Sequence, residues 1–396
     1  MCGIIGVSGI PDAARLAYLG LYSLQHRGQE SAGIVAVDGE SVARSHRGMG
    51  LVSEVFSEPV LAGLAGDVAI GHTRYSTAGS SVLANAQPFL ARYREGPLAL
   101  GHNGNLTNAV PLRADLVAKG SIFQTSSDSE VLVHLIARSE SREPEDQLLD
   151  ALERVEGAYS LVITVGRTLY AVVDPRGFRP LILGKIGGGH VVASETCALD
   201  LIGAQVVREL EPGEFLRIQG GEVDRLPPLP KKPSRRCVFE LVYFSRPDST
   251  IFHRSVDRVR RALGRELARE HPAPGADCVF SVPDSSNAMA LGFSEQSGVK
   301  LEHALIRNHY VGRTFINPAQ SARTAKVKIK FNPVREVLAG KRVVVVDDSL
   351  VRGTTSKGLV QLIRQAGAAE VHFRIASPPI TGPCWYGIDT PSRSEL

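Results

Sequence analysis

The chain has 396 residues, of which 43% are hydrophobic and 22% charged. That is the balance of a globular protein, long enough for two ordinary domains with full cores. A formal net charge of +4 accommodates anionic substrates without demanding nucleic acid as a partner. No run of about 18 apolar residues occurs, so no membrane span is expected. The start, MCGIIGV, lacks the basic region of a signal peptide. The five widely spaced cysteines argue against a disulfide framework and for a reducing cytoplasm.

Cys2 follows the initiator methionine. Removal of Met1, which a small second residue normally permits, would leave Cys2 with a free α-amine of pKa roughly 7.7–8.0. A thiol and a base on one residue make a self-contained nucleophile. Taken alone, a Met-Cys start would more simply be a small buried residue. Three further stretches tip the balance: residues 25–33 (QHRGQESAG), 71–77 (GHTRYST) and 101–106 (GHNGNL). Further on, Ser127 and Glu130 stand at capping-box spacing before the apolar run VLVHLIA, which predicts a helix start there. Between Tyr159 and Ala193 the runs SLVITV, LYAVV, PLILG and HVVAS alternate with turns such as DPRG and IGGGH, and read as strands.

Residues 226–233 (LPPLPKKP) hold four prolines in eight positions. They read as an extended, semi-rigid connector and divide the chain into domains 2–230 and 231–396. After it, a helix over 254–270 aligns Val256, Val259, Leu263 and Leu267, and six arginines cover the rest as a solvated or subunit-facing surface. No aromatic platform for nucleic acid accompanies them. Residues 278–286 (CVFSVPDSS) form a strand followed by a loop. Residues 313–330 hold five basic side chains and no acid, the character of a lid beside a polyanion. Cys197 and Cys278 lie in apolar company, as inert core residues do.

The most specific stretch is 342–355, RVVVVDDSLVRGTT. Four valines in a row predict a strand buried on both faces, as in a parallel sheet. Asp347 and Asp348 close it, a short hydroxyl-rich loop follows, and residues 356–366 read as a helix stopped by Gly367. Strand, loop and helix in that order aim N–H groups at an anion, most simply a phosphate. Paired carboxylates beside it suit ribose hydroxyls or Mg²⁺. The lysine of a Walker loop is absent.

These motifs carry two resemblances. MCGIIG and the blocks at 25–33, 71–77 and 101–106 resemble the N-terminal-nucleophile class of glutamine amidotransferase domains, over roughly residues 2–225. The stretch at 342–355 resembles the 5-phosphoribosyl-1-pyrophosphate (PRPP) motif of type I phosphoribosyltransferases. In this order, over nearly the whole chain, the two halves resemble the glutamine PRPP amidotransferase family. The resemblance implies an α+β glutaminase domain of stacked antiparallel sheets with flanking helices. An α/β phosphoribosyltransferase domain with a mainly parallel sheet then follows.

For glutamine hydrolysis the resemblance implies Cys2 as nucleophile with Asn103 and the Gly104 N–H as oxyanion hole. Arg27 and Gly28 fall in the turn that closes on Cys2. Arg74, assisted by Thr77, would hold the substrate carboxylate, as a guanidinium does with two parallel hydrogen bonds, and Asp128 its ammonium. His26, His72 and His102 are read as packing or hydrogen-bonding residues, because the α-amine already supplies the base. For PRPP the resemblance implies Asp284, Ser285 and Ser286 in a pyrophosphate loop. It places Asp347 and Asp348 on the ribose hydroxyls, and Ser349, Arg352, Gly353, Thr354 and Thr355 around the 5-phosphate. Mg²⁺ would lie at Ser285, Asp347 and Asp348.

Ammonia would travel through a closed passage to C1 of the ribose, giving phosphoribosylamine, pyrophosphate and glutamate. The family further implies a homodimer or tetramer and feedback inhibition by purine nucleotides. Cys237 and Cys384 match two of the four ligands of a [4Fe–4S] cluster found in one branch; the other two would lie beyond Leu396, where relatives continue. The motifs speak against two rival classes. Other amidotransferases with this front domain, such as asparagine synthetase or a hexosamine-phosphate synthase, lack the DDSLVRGTT stretch. A non-catalytic PRPP-binding regulator would not need a complete set of glutaminase residues.

Overall fold

The structure, a computed structural model, describes residues 1–75, 80–308, 330–351 and 353–388. Their contacts divide the chain into two units. One comprises Met1–Cys237, Ser249–His253 and Cys384–Pro391; the other comprises Val238–Asp248, Arg254–Pro383 and Ser392–Leu396. The first unit therefore runs past the proline-rich stretch to Cys237 and regains two short segments from later in the chain. The proline-rich stretch is not a free connector. Leu229 is buried and its N–H donates to Gly213 O, while Arg235 N and Cys237 N donate to Arg176 O and Phe178 O.

Thirteen strands of the first unit form two antiparallel sheets. They are β1 (Gly3–Ser8), β2 (Ser31–Val37), β3 (Ala43–Met49), β4 (Val68–Arg74), β5 (Phe89–Tyr93), β6 (Gly96–Leu106), β7 (Gly157–Val165), β8 (Thr168–Val173), β9 (Ile182–Ile186), β10 (Gly189–Ala193), β11 (Gln205–Glu209), β12 (Phe215–Gln219) and β13 (Glu222–Arg225). One sheet has the order β11-β9-β10-β1-β4-β2-β3 and the other β13-β12-β8-β7-β6-β5. The four strands read from sequence between 159 and 193 are β7 to β10.

Alternation along β1 explains the layering. Ile4 joins an apolar cluster with Ile70, Val162, Leu169 and Leu216, which come from both sheets. Ile5 and Val7 point the other way, into a cluster with Ala14, Ala17 and Leu21 of the helix Ala13–Ser23. Helices Glu130–Arg138 and Pro144–Arg154 cover the second sheet through Leu132, Leu135, Leu148 and Leu152, against Leu161 and Ile163 of β7. The result is helix, sheet, sheet, helix, each strand giving one face to each neighbour.

In the second unit the strand Arg342–Asp347 lies between Cys278–Ser281 and Glu370–Ile375, parallel to both. All four valines, 343 to 346, are fully buried. Val343 and Val345 enter one cluster, Val344 and Val346 another, so both faces are covered as the unbroken apolar run required. Helix Thr354–Gln365 packs Leu359 and Ile363 onto the first of these clusters, and Gly367 follows it at φ 103°.

The arginine-rich helix differs from its sequence reading. It spans Val256–Glu270, capped by Ser255, whose Oγ accepts from Arg258 N at 3.4 Å. Its buried face is Val256, Arg260, Gly264, Leu267 and Ala268. Gly264 and Gly292 make this possible. A Cβ at Gly264 would lie 1.9 Å from Met289 O, and one at Gly292 would lie 2.1 Å from Arg261 O. This helix and Asn287–Ser297 thus cross backbone to backbone, which only glycine permits. Arg260 is not solvated: it is 2% exposed and donates to Leu241 O at 2.9 Å and Ser245 O at 2.7 Å.

Candidate active sites

In the first unit the candidate nucleophile sits where β1 begins. Cys2 is buried, its backbone nitrogen donates to Asn103 Oδ1 at 3.0 Å, and its Sγ lies 3.8 Å from Tyr75 O. The peptide nitrogen seen with Met1 attached stands in for the α-amine that Met1 removal would leave. Arg27 closes the short helix Gln25–Arg27, and its Nε donates to Cys2 O at 3.0 Å. Gly28 follows where no side chain fits, because a Cβ there would come within 2.7 Å of three Arg74 backbone atoms.

Asn103 and Gly104 lie on the central β6. Asn103 is fully buried; with Oδ1 engaged by Cys2, its Nδ2 has no hydrogen-bond partner among the described residues. A buried amide donor left unpaired costs roughly 1–3 kcal/mol, and such strain concentrates where a ligand is meant to bind. Gly104 is fixed by crowding, since a Cβ would lie 1.9 Å from Ala158 O.

Arg74 ends β4, nearly buried, with Nη1 donating to Ser80 O at 3.1 Å. Thr77 lies outside the described residues. Asp128 Oδ2 accepts from Leu106 N at 2.8 Å. Asp128 and Leu106 line a cavity of about 610 Å³ shared with Arg113, Trp385 and Tyr386. The expected capping box does not form. The helix begins at Glu130, whose carboxylate accepts from Gln124 N and Thr125 N at 2.8 and 2.9 Å, so it fixes the preceding loop.

The histidines take the supporting roles read from sequence. His102 Nδ1 is 2.8 Å from Ser129 Oγ, and its Nε2 is 3.2 Å from Ala158 O. His72 Nε2 meets His102 O at 3.1 Å; burial pushes its pKa down to about 3, so it stays neutral. His26 Nε2 lies 2.7 Å from Glu195 Oε1.

Three features escaped the sequence reading. Glu195 is fully buried and also accepts from Arg27 Nη1 at 2.6 Å. Burial alone would raise its pKa, but His26 and Arg27 outweigh that and hold it well below the usual carboxylate range. An acid two residues past the apolar strand β10, at the start of a short helix, was the available signal. The second feature is the segment at 384–388. Trp385 O accepts from Asn105 Nδ2 at 2.9 Å, Tyr386 O accepts from Arg179 Nη2 at 2.6 Å, and the Tyr386 ring stacks on Phe178 at 4.3 Å. No local pattern announced it. The third is Arg260, whose place four residues after Val256 and four before Gly264 put it on the buried stripe.

In the second unit the acid pair and the predicted pyrophosphate loop meet. Ser286 Oγ donates to Asp347 Oδ1 at 3.2 Å, Ser285 Oγ donates to Asp348 Oδ2, and Ser349 Oγ donates to Asp348 Oδ1 at 2.5 Å. Arg260 Nη1 reaches Ser285 O at 3.5 Å from beneath. Burial, then the neighbouring Asp348 charge, push Asp347 up to about 7, and burial raises Asp348. Asp284 stands apart, paired with Arg307 at 2.6 Å. Gly353, at φ 66°, precedes the helix that starts at Thr354, and Thr355 is exposed in its first turn. Arg352, residues 313–329 of the expected lid and the Thr354 side chain lie outside the described residues.

Cys237 and Cys384 are half-buried, whereas Cys197 and Cys278 are buried as expected. Burial pushes the Cys278 thiol up. Among the described residues no group of three or more His, Cys, Asp or Glu is placed to hold a metal.

A glutamine amidotransferase domain family matches residues 72–201. Amidophosphoribosyltransferase 2, chloroplastic, of Arabidopsis thaliana is 55% identical over the whole chain, which covers 70% of that protein. The amidophosphoribosyltransferase of Bacillus subtilis strain 168 is 50% identical, and the chain covers 83% of it. The solved glutamine PRPP amidotransferase of B. subtilis, complexed with ADP and GMP, superposes with a TM-score of 0.93 at 49% identity. The match takes in all of this chain and 86% of that one. A structure described as the allosteric regulatory enzyme of purine biosynthesis reaches 0.94 at 50% identity, over 85% of its length. None of these relatives supports the reading as a non-catalytic regulator. The chain belongs to the amidophosphoribosyltransferase family, glycosyltransferases that use glutamine nitrogen to convert PRPP into phosphoribosylamine, pyrophosphate and glutamate at the entry to purine biosynthesis.

Proposed function

We propose that Cys2, freed of Met1, is the nucleophile of the glutaminase reaction and that Asn103 serves it from two sides. The carrying observation is that Asn103 Oδ1 takes one N–H of Cys2 while Nδ2 remains buried and unpaired. Oδ1 orients the α-amine so that its lone pair can accept the thiol proton. Sγ then attacks the glutamine amide carbon, and the developing oxyanion takes the Asn103 Nδ2–H and the Gly104 N–H. Ammonia leaves on collapse, and water releases glutamate from the thioester. Arg74, with Thr77, holds the substrate carboxylate and Asp128 its ammonium.

In the second unit Asp347 and Asp348 take the ribose hydroxyls. Ser349, Arg352, Gly353, Thr354 and Thr355 take the 5-phosphate at the helix start, and Asp284 with Ser285 takes pyrophosphate. An acid pair with Asp348 buried and Asp347 half-buried, the latter raised to about 7, suits a divalent cation. Asp347, Asp348 and the Ser285 hydroxyl are the residues that would hold Mg²⁺, with substrate oxygens and water completing the set. When bound it supplies charge neutralisation for the leaving pyrophosphate. Cys237 and Cys384 would hold a [4Fe–4S] cluster only with two further cysteines supplied by chain beyond Leu396, since the cluster takes four thiolates.

The domain limits 2–230 and 231–396, a homo-oligomer, purine nucleotide feedback and a cytoplasmic location complete the proposal. Nucleotide feedback is supported by the B. subtilis relative that binds ADP and GMP. No helix among the described residues is long and apolar enough to cross a membrane. Cys2→Ala tests the reading: glutamine-dependent pyrophosphate release should vanish while ammonia-dependent release persists. Loss of both together would refute the assignment.

A further inference from the structure

Behind Cys2 lies a chain of buried hydrogen bonds that the mechanism above does not use. Cys2 is clamped at both backbone ends, its nitrogen by Asn103 Oδ1 and its carbonyl by Arg27 Nε, each at 3.0 Å. The next residue, Gly3, cannot shift freely, because a Cβ there would meet Thr73 Oγ1 at 2.7 Å and Leu24 Cβ at 2.9 Å. The placement of Sγ therefore depends on the Arg27 guanidinium, a rigid planar fork. That fork is also held by Nη1, which donates to Glu195 Oε1 at 2.6 Å. Glu195 in turn is held through its other oxygen. Ser249 Oγ donates to Oε2 at 2.7 Å, and the Cys197 thiol lies 3.7 Å from it.

Ser249 is remote in sequence, 54 residues from Glu195, yet buried. It opens the short segment Ser249–His253, which belongs to the first unit although the chain on either side of it does not. The segment is fixed at three more points. Thr250 N donates to Thr196 Oγ1 at 2.9 Å, and Phe252 N and His253 N donate to the Glu209 carboxylate at 2.9 and 3.0 Å. Ser249 is thus a defined donor presented to a buried carboxylate, not a surface hydroxyl that happens to be near.

We propose that Glu195 is a positioning residue for the nucleophile and that Ser249 sets its orientation through the relay Ser249, Glu195, Arg27, Cys2. The inference rests on Cys2 being the nucleophile. It assigns to the segment after the proline-rich stretch a part in glutamine hydrolysis, although the residues that bind PRPP lie elsewhere. A displacement of about 1 Å in a reacting group can cost on the order of a hundredfold in rate, so loss of one link should appear in kcat more than in KM.

The test uses the full chain with Met1 removed. Ser249→Ala, Ser249→Thr and Glu195→Gln are compared in glutamine-dependent and ammonia-dependent pyrophosphate release. The rate at which 6-diazo-5-oxo-norleucine, a reactive glutamine analogue, alkylates Cys2 is measured alongside. Ser249→Ala should lower glutamine-dependent kcat and the alkylation rate about tenfold, and Glu195→Gln about a hundredfold. KM for glutamine and ammonia-dependent release should hold. Ser249→Thr, which keeps the hydroxyl, should restore most of the loss. Wild-type kcat in Ser249→Ala, an equal fall in ammonia-dependent release, or no rescue by threonine would overturn the proposal. If Glu195→Gln fails to fold, the two Ser249 variants still decide. Cys2→Ala run in parallel separates the two readings: retained glutamine-dependent activity there would sink the nucleophile assignment itself.

Discussion

The two units each bury carboxylate charge beside a candidate site, and they do so with opposite bookkeeping. Glu195 sits between Arg27 and His26 with Ser249 on its second oxygen, so its charge is answered within the fold. Asp347 and Asp348 are adjacent to each other and, among the described residues, their side chains accept hydrogen bonds from hydroxyls and a backbone N–H, with the Lys330 and Arg260 charges acting from further off. The first arrangement is finished before substrate arrives and makes a rigid frame. The second carries unbalanced negative charge, which a cation and a ribose can complete. On the proposed reading, a hydrolytic site that needs only geometry and a transfer site that recruits a charged substrate would treat their acids in these two ways.

The comparison can be broken most severely at the uncompensated pair. Asp347→Asn should reduce PRPP-dependent product formation by at least about a thousandfold, while glutamine hydrolysis without PRPP continues; equal loss of both would mean the pair is structural. At the finished site, Asn103→Ala should cost about 10²–10³ in glutamine-dependent kcat, the usual loss for one oxyanion donor, with ammonia-dependent synthesis retained.

Stability should distinguish the two acids by sign. Asp347 has a folded pKa raised from 3.8 to about 7. Its favourable term is therefore present below the unfolded value and lost as pH rises through about 7, a cost on the order of 4 kcal/mol when fully ionised. Removing Mg²⁺ with a chelator should therefore lower Tm by more at pH 8 than at pH 5; equal shifts would argue against a cation at the pair. Glu195 has a folded pKa depressed below 4.5. Its contribution is present above the unfolded value and lost as pH falls below it. The smallest effect expected is a shallower acid limb in Glu195→Gln, read from unfolding midpoints between pH 5 and 3; an unchanged limb would mean Glu195 is not the group titrating there.

Much of the second unit's site was readable because it is contiguous. Asp347, Asp348, Ser349 and Gly353 lie within seven residues, and Ser285 and Ser286 follow a strand that pairs directly with theirs. Cys2, Asn103, Gly104, Arg74 and Asp128, the candidates for glutamine hydrolysis, were likewise carried by short blocks. Glu195 and Ser249 were not, because their meaning lies in one another and nothing periodic marks a buried charge that has found its partner. The arginines of the helix Val256–Glu270 misled for a related reason: the spacing of Arg260 from Val256 and Gly264 puts it on the buried stripe, but what satisfies its charge there is the set of backbone oxygens of Leu241, Ser245 and Ser285, which only the packing brings together.

The sequence by itself determined the elements and the chemistry. The valine run demanded a strand covered on both faces, the alternating runs pointed to strands, and the motifs around Cys2, Asn103 and the acid pair pointed to the family and its reaction. Tertiary structure alone decided which groups hold them in place. Glu195 reaches Ser249 across 54 residues and Asn105 reaches Trp385 across 280. Contacts at such separations are fixed by how sheets and segments pack in three dimensions. They follow from burial and the need to satisfy every buried polar group, conditions that exist only once the chain has closed on itself.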